Sequence, residues 1–171
     1  MKKGLAILLL LLGPANLTAR QSRFEDPLLE HLAGQWVMEG TVRTQHTTHD
    51  VTFTWVLAHQ YLQMHEISRE KDSTGKAIYE ALVYFGWDPA LNQYACLWLD
   101  VTGGNGLDGK AIGHSPRGGN KLTLLFDGGD GSFFHTTFEY EAASDTWQCL
   151  MDNDEHGVRR PFARLTLQRK K

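Results

Sequence analysis

The chain has 171 residues, with 17 Lys and Arg against 20 Asp and Glu and a formal net charge of -3. Neutralising a phosphate backbone demands clustered Lys and Arg, and the one such cluster is the tail Gln168 to Lys171, which reads as a solubilising end; nucleic acid is therefore excluded as an expected partner. A length of this order, once a leader is removed, suits one domain with a single core.

In chain order, Lys2 and Lys3 precede the apolar run LAILLLLLG and then small and polar residues ending at Ala19. That pattern predicts a secretory signal peptide over 1–19, cleaved after Ala19 with Ala15 as the alternative site. The run is shorter than the about 20 apolar residues that a span requires, so no stable membrane span is expected. The mature protein, 20–171, is accordingly expected in the periplasm or outside the cell as one domain. No cysteine stands directly after the leader, which leaves no thiol for N-terminal lipid attachment.

Residues 22–33 carry Ser22 and Glu25 at capping-box spacing and Leu28, Leu29 and Leu32 at helical spacing, predicting a short helix with Pro27 in its first turn. Gly34 ends it. From Trp36 the period becomes two, with Trp36, Met38, Gly40 and Val42 on one face, which is strand chemistry. The same alternation returns in VTFTWVL, YLQMHEIS, IYEALVYFGW, QYACLWLDV, KLTLLF, FFHTTFEYE, TWQCLM and FARLTLQ. Turn residues separate these runs, as in DSTGK, WDPALNQY, DGGDGS and DNDEHG. The predicted class is all-β: an antiparallel meander of roughly eight to ten strands closed into a barrel, because closure removes sticky sheet edges.

A short helix followed by Gly34-x-Trp36 at the start of the first strand resembles the beginning of a lipocalin-type, or calycin, barrel. The likeness extends over most of the mature chain to a family of uncharacterised secreted bacterial lipocalin-like proteins of similar length. The stretches that carry it are LAGQWVMEGTV, WVLAHQYLQMHEI, YFGWDPALNQYACLWLDVTGG, GNKLTLLF and RRPFARLTLQRKK. The resemblance implies a helix over one end of the barrel, a tryptophan packed inside that end, and an arginine of the last strand lying across its ring. Trp36 is then the tryptophan and Arg164 the natural arginine. The related nitrobindin-like barrels share the Gly-x-Trp start and ligate haem through a histidine on a late strand. The late strand here, 162–168, has none, and the nearest histidine is His156 in a turn, so haem is not expected and no cofactor is.

His46-x-x-His49 is the tightest pair among eight histidines. An i to i+3 spacing on a strand puts the two rings on opposite faces, so no metal site is expected there. Glu66 is in phase with Leu62 and Met64; if that face points inward, it is a buried acid in need of a partner. The opposite parity, with Tyr61, Gln63, His65 and Ile67 inward, fits the periodicity equally well. Trp98 either lines a pocket or fills the core, and Asp100 at a strand end is a rim residue or a turn-initiating aspartate. Ser115 beside His114 lacks a nucleophile elbow, and the glycines of VTGGNGLDG lack a following helix or phosphate-facing lysine. Strand counting separates Cys96 from Cys149 around the barrel, which predicts two free, buried thiols.

These readings lead to a non-enzymatic cell-envelope barrel enclosing a small apolar or amphipathic molecule. The expected ligand-binding residues are Met38, Phe53, Trp55, Met64, Glu66, Tyr84, Trp98 and Asp100, with Gly34, Trp36 and Arg164 structural and no catalytic or metal residue. The alternatives are an enzyme drawing on Glu66, His65, Asp100 and His135 at the barrel mouth, and a ligand-free structural or interaction module.

Overall fold

The computed structural model describes residues 23–103 and 106–171. The expected signal peptide and the capping residue Ser22 lie outside them. One helix, α1 (Pro27–Leu32), precedes ten strands: β1 (Gly34–Val42), β2 (Gln45–Val56), β3 (Tyr61–Ser68), β4 (Glu80–Asp88), β5 (Gln93–Asp100), β6 (Ile112–Ser115), β7 (Lys121–Asp127), β8 (Ser132–Glu141), β9 (Thr146–Glu155) and β10 (Val158–Arg169). Each strand pairs with its successor, and β1 pairs antiparallel with β10, so the meander closes into a barrel. Among the described residues no helix is long and apolar enough to cross a membrane.

Period-two alternation places Trp36 and Met38, Val51 and Phe53, Val83 and Phe85, and Leu165 and Leu167 in the interior, all buried. The same rows decide the parity of β3. Met64 stands between Phe53 and Val83 in register, so Leu62, Met64, Glu66 and Ser68 face inward and are buried. Cys96 on β5 and Cys149 on β9 are free and buried, with β6, β7 and β8 between them.

The helix is capped differently from the expected Ser22 and Glu25 box. Asp26 is its N-cap, accepting from the backbone N–H of Leu28 at 3.0 Å and of Leu29 at 3.1 Å, and Pro27 opens the first turn. Asp26 is itself buried and also accepts from the Tyr94 hydroxyl at 2.7 Å and pairs with Arg117 at 2.8 Å, which ties the helix to β5 and the β6–β7 connection.

The end beneath α1 is sealed by Trp36, fully buried, whose indole N–H donates to Leu32 O at 2.7 Å. The arginine across its ring is Arg169, with the guanidinium carbon 4.2 Å from the ring centroid. This corrects the assignment of Arg164. Ala163, Leu165 and Leu167 point inward, so alternation turns Arg164 outward, where it donates to Met151 O at 2.8 Å and pairs with Asp152. Arg169 is in phase with the inward residues and stands directly opposite Trp36 in the β1–β10 register. It also donates to Ala33 O at 2.9 Å and His31 O at 3.1 Å, satisfying carbonyls at the helix C-terminus. Gly34 makes room for it: a Cβ there would lie 2.7 Å from Arg169 Nη1, and its φ of +126° is strained for any other residue.

Replacing Arg169 with Ala is therefore expected to destabilise the barrel by about 2 kcal/mol, through the lost stacking and carbonyl bonds. Arg164→Ala, which removes an outer-face pair, should cost under about 1 kcal/mol. Urea unfolding of the two variants side by side checks the order, and Gly34→Ala should resemble the first.

Candidate functional site

The two ends of the barrel differ. Opposite α1, the interior opens as a cavity of about 1420 Å³. The β1–β2 turn, the connections that follow β3 and β5, and the inner faces of the strands surround it. Its walls are aromatic, with Tyr79, Trp98, Phe126, Phe134 and Phe162, and its polar groups include Thr47, His49, Glu66, Glu70, Asp100 and Thr136.

Glu66 is 3% exposed. Its Oε1 contacts His49 Nδ1 closely, and His49 is equally interior because Thr47, His49, Val51 and Phe53 alternate on one face of β2. The other ring nitrogen of His49, Nε2, lies 2.7 Å from Thr47 Oγ1, and the Thr47 hydroxyl donates to Glu70 Oε2 at 2.9 Å. Glu70 Oε1 accepts from the Thr48 backbone N–H at 2.9 Å. Partial burial alone would raise the Glu70 carboxyl; hydrogen bonds from its own backbone N–H, from Thr48 and from Thr47 outweigh it and hold the group below its ordinary value.

Proton counting along this chain fixes the ring. A threonine hydroxyl has one proton, which goes to the Glu70 carboxylate, so Thr47 Oγ1 accepts from His49 Nε2–H. His49 Nδ1 and Glu66 Oε1 are hydrogen-bonded to each other. Both ring nitrogens are thus engaged, and neither is free to ligate a metal or haem iron. Glu66 Oε2 and Thr136 Oγ1, both buried, have no hydrogen-bond partner.

Beside the pair, the Tyr79 hydroxyl accepts from Trp98 Nε1 at 3.2 Å and donates to Asp100 Oδ2 at 3.3 Å. Burial first, and then the negative charge of Glu66, push the Tyr79 phenol well above its ordinary value. Asp100 is both rim residue and turn initiator, since its Oδ1 accepts from Thr102 N at 2.8 Å.

Of the eight expected ligand-binding residues, Glu66, Trp98 and Asp100 line the cavity. Met38, Phe53 and Met64 fill the core below it. Trp55 lies toward the closed end, stacked on His59 at 3.9 Å and edge-on to Phe24 at 6.2 Å. Tyr84 faces outward, its hydroxyl accepting from Gln63 Nε2 at 2.8 Å, because β4 buries the alternate residues Val83 and Phe85. The mouth residues nominated for catalysis do not converge. His65 pairs with Glu80 at 2.7 Å on the outer face, and His135 pairs with Asp154 at 3.3 Å and Arg159 at 3.1 Å away from the cavity lining. His46 pairs outside with Glu39 at 3.2 Å while His49 turns inward, as the spacing implied. Among the described residues no group of three or more His, Cys, Asp and Glu side chains is arranged to hold a metal ion. Sequence reasoning missed His49, Tyr79, Phe126, Phe134 and Thr136; for His49 the signal was its phase with Val51 and Phe53.

No protein-family model matches the chain, and no curated protein matches it. The class is therefore defined by fold and site alone: a closed, ten-stranded antiparallel barrel with one sealed end and one hollow, aromatic-walled end.

Removing one partner of a buried pair strands the other. His49→Leu is expected to cost about 3 kcal/mol or more, whereas His49→Leu combined with Glu66→Leu should recover most of that loss. A double-mutant cycle by chemical denaturation checks it. In alkali, an unfolded phenol releases its proton above about pH 10 while native Tyr79 keeps its own. The native state then binds more protons, so stability falls as pH rises from that value toward the raised native one. Tyr79→Phe should make this alkaline decline shallower in denaturation midpoints measured across the range.

Proposed function

We propose that the barrel is a non-enzymatic binding protein of the cell envelope that holds one small apolar or amphipathic molecule in its hollow end. The observation that carries this reading is the cavity itself, about 1420 Å³ with largely aromatic walls and a few polar residues such as Glu66, Asp100 and Thr136 among its lining. Ligand pockets typically combine mostly apolar walls with a few such polar groups, at volumes from about 300 Å³ upward. The likeness of Gly34-x-Trp36 and the later stretches to lipocalin-type barrels supports the same reading, and the leader-like 1–19 supports export. An enzyme site at the mouth is less well supported, because both nitrogens of the interior histidine are engaged by protein groups.

Native mass spectrometry of the gently purified protein, compared with its denatured mass, should reveal a retained small molecule. Nile red, a neutral apolar dye, should bind the emptied protein one to one with enhanced emission, and Met151→Trp, which fills the cavity wall, should weaken it by roughly tenfold or more. A bare chain that also leaves the dye unaffected would overturn the reading.

A further inference from the structure

The charged side chains that line the cavity differ in whether the protein already satisfies them. Glu70 accepts from the Thr48 backbone N–H and from the Thr47 hydroxyl, both at 2.9 Å. Asp100 accepts from Thr102 N at 2.8 Å and from the Tyr79 hydroxyl at 3.3 Å. Glu66 and His49 bond to each other, and His46 pairs with Glu39. Arg43 is the exception. Among the described residues its guanidinium has no hydrogen bond and no ion pair, and it rests only on the Phe162 ring, with its central carbon 5.3 Å from the centroid. The other described arginines each pair with a carboxylate or, in the case of Arg23, with His59.

The place of Arg43 is as specific as its lack of partners. It stands in the short turn between β1 and β2 with a φ of +55°, a region that suits glycine better than a long side chain. Its backbone N–H donates to Phe162 O at 2.6 Å, which ties the turn to β10. Phe162 lies at the register shift of β10 between Pro161 and Ala163, and that irregularity turns its ring to the cavity, where it meets Phe134 edge-on at 5.3 Å. An exposed guanidinium is thus held at the mouth, on the edge of an apolar wall that includes Val42, Phe134, Met151, Phe162 and Leu165.

We propose that the ligand is an amphiphile with an oxyanion head, a carboxylate or a phosphate, bound with that head on Arg43 at the mouth and its apolar body along the Phe162 and Phe134 wall. This deepens the proposed binding function and rests on it. A guanidinium offers a planar fork of N–H donors that matches such a head, and here the fork has no competing partner in the protein. Glu66, Glu70 and Asp100 line the cavity too, so an anionic head is repelled from them and kept at the rim. Because these acids already accept hydrogen bonds from the protein, a cationic head has less to satisfy there. The chain as a whole carries a formal net charge of -3, so a preference for anions is local to this site and not a bulk effect.

Displacement of Nile red from the protein by decanoate, decyl phosphate, decanol and decylammonium, which share one chain and differ in the head, tests this. Decanoate and decyl phosphate should each bind roughly tenfold tighter than decanol, with decylammonium weakest, and the advantage should shrink as salt is raised. In Arg43→Gln, and in Arg43→Gly, which suits the φ of the turn, both anions should fall to within about twofold of decanol while the neutral dye binds as before. Equal binding of the anions and decanol to the unaltered protein overturns the oxyanion inference while leaving a binding barrel. An anion preference that survives both substitutions overturns the assignment to Arg43 and moves the head to Lys110, the other cation of the lining. Tightest binding of decylammonium overturns it in the opposite sense, toward Glu70 and Asp100. Failure of Nile red and of all four amphiphiles to bind removes the binding reading itself, and the head assignment with it.

Discussion

Everything in this molecule depends on the seam between β1 and β10. Pairing of these strands turns a meander with two sticky edges into a ring without any, and the register of that pairing sets Trp36 opposite Arg169. From this one juxtaposition the character of an entire end follows. The indole plugs the ring, the guanidinium covers the indole, and both side chains bond carbonyls at the end of α1, so the helix becomes a lid. Gly34 is the residue between lid and strand whose missing side chain lets the guanidinium in. Gly40 serves the same seam further along, since a Cβ there would meet Arg164 O at 2.1 Å.

A ring sealed at one end and filled in its middle leaves its other end for the large cavity, and the polar groups there are arranged with economy of partners. Glu70, Thr47, His49 and Glu66 form a line from the segment after β3 to the interior, each passing on its hydrogen-bonding capacity to the next. Buried pairs of this kind are poor sources of stability, because desolvation offsets much of the attraction. The line ends on the buried Glu66 carboxyl, whose residue forms part of the ring-lined cavity wall.

Much of this was legible in the residues before any fold was known. Period two in run after run, broken by Asp, Gly and Pro, announces antiparallel strands, and their number announces closure. The helix was legible from Leu28, Leu29 and Leu32, although its true cap, Asp26, stands immediately before the proline rather than at Ser22. The arginine was misplaced although a signal existed. Ala163, Leu165, Leu167 and Arg169 share one phase, and Arg164 belongs to the other. Tyr84 was misplaced for a related reason, because an aromatic residue on a strand is as able to cover an outer face as to fill a core.

The sequence by itself determined the class of architecture, the separation of the two cysteines around the ring and the opposite facing of His46 and His49, since each follows from local periodicity and element order. Only the tertiary structure decided which face of β3 is interior, because Leu62, Met64 and Glu66 compete with Tyr61, His65 and Ile67 on equal terms until Phe53 and Val83 are placed on either side. It alone brought His49 against Glu66, two residues on neighbouring strands whose meeting depends on register. It alone decided where the core stops and the cavity begins, because filling is a property of opposing side chains across the barrel and not of any one strand.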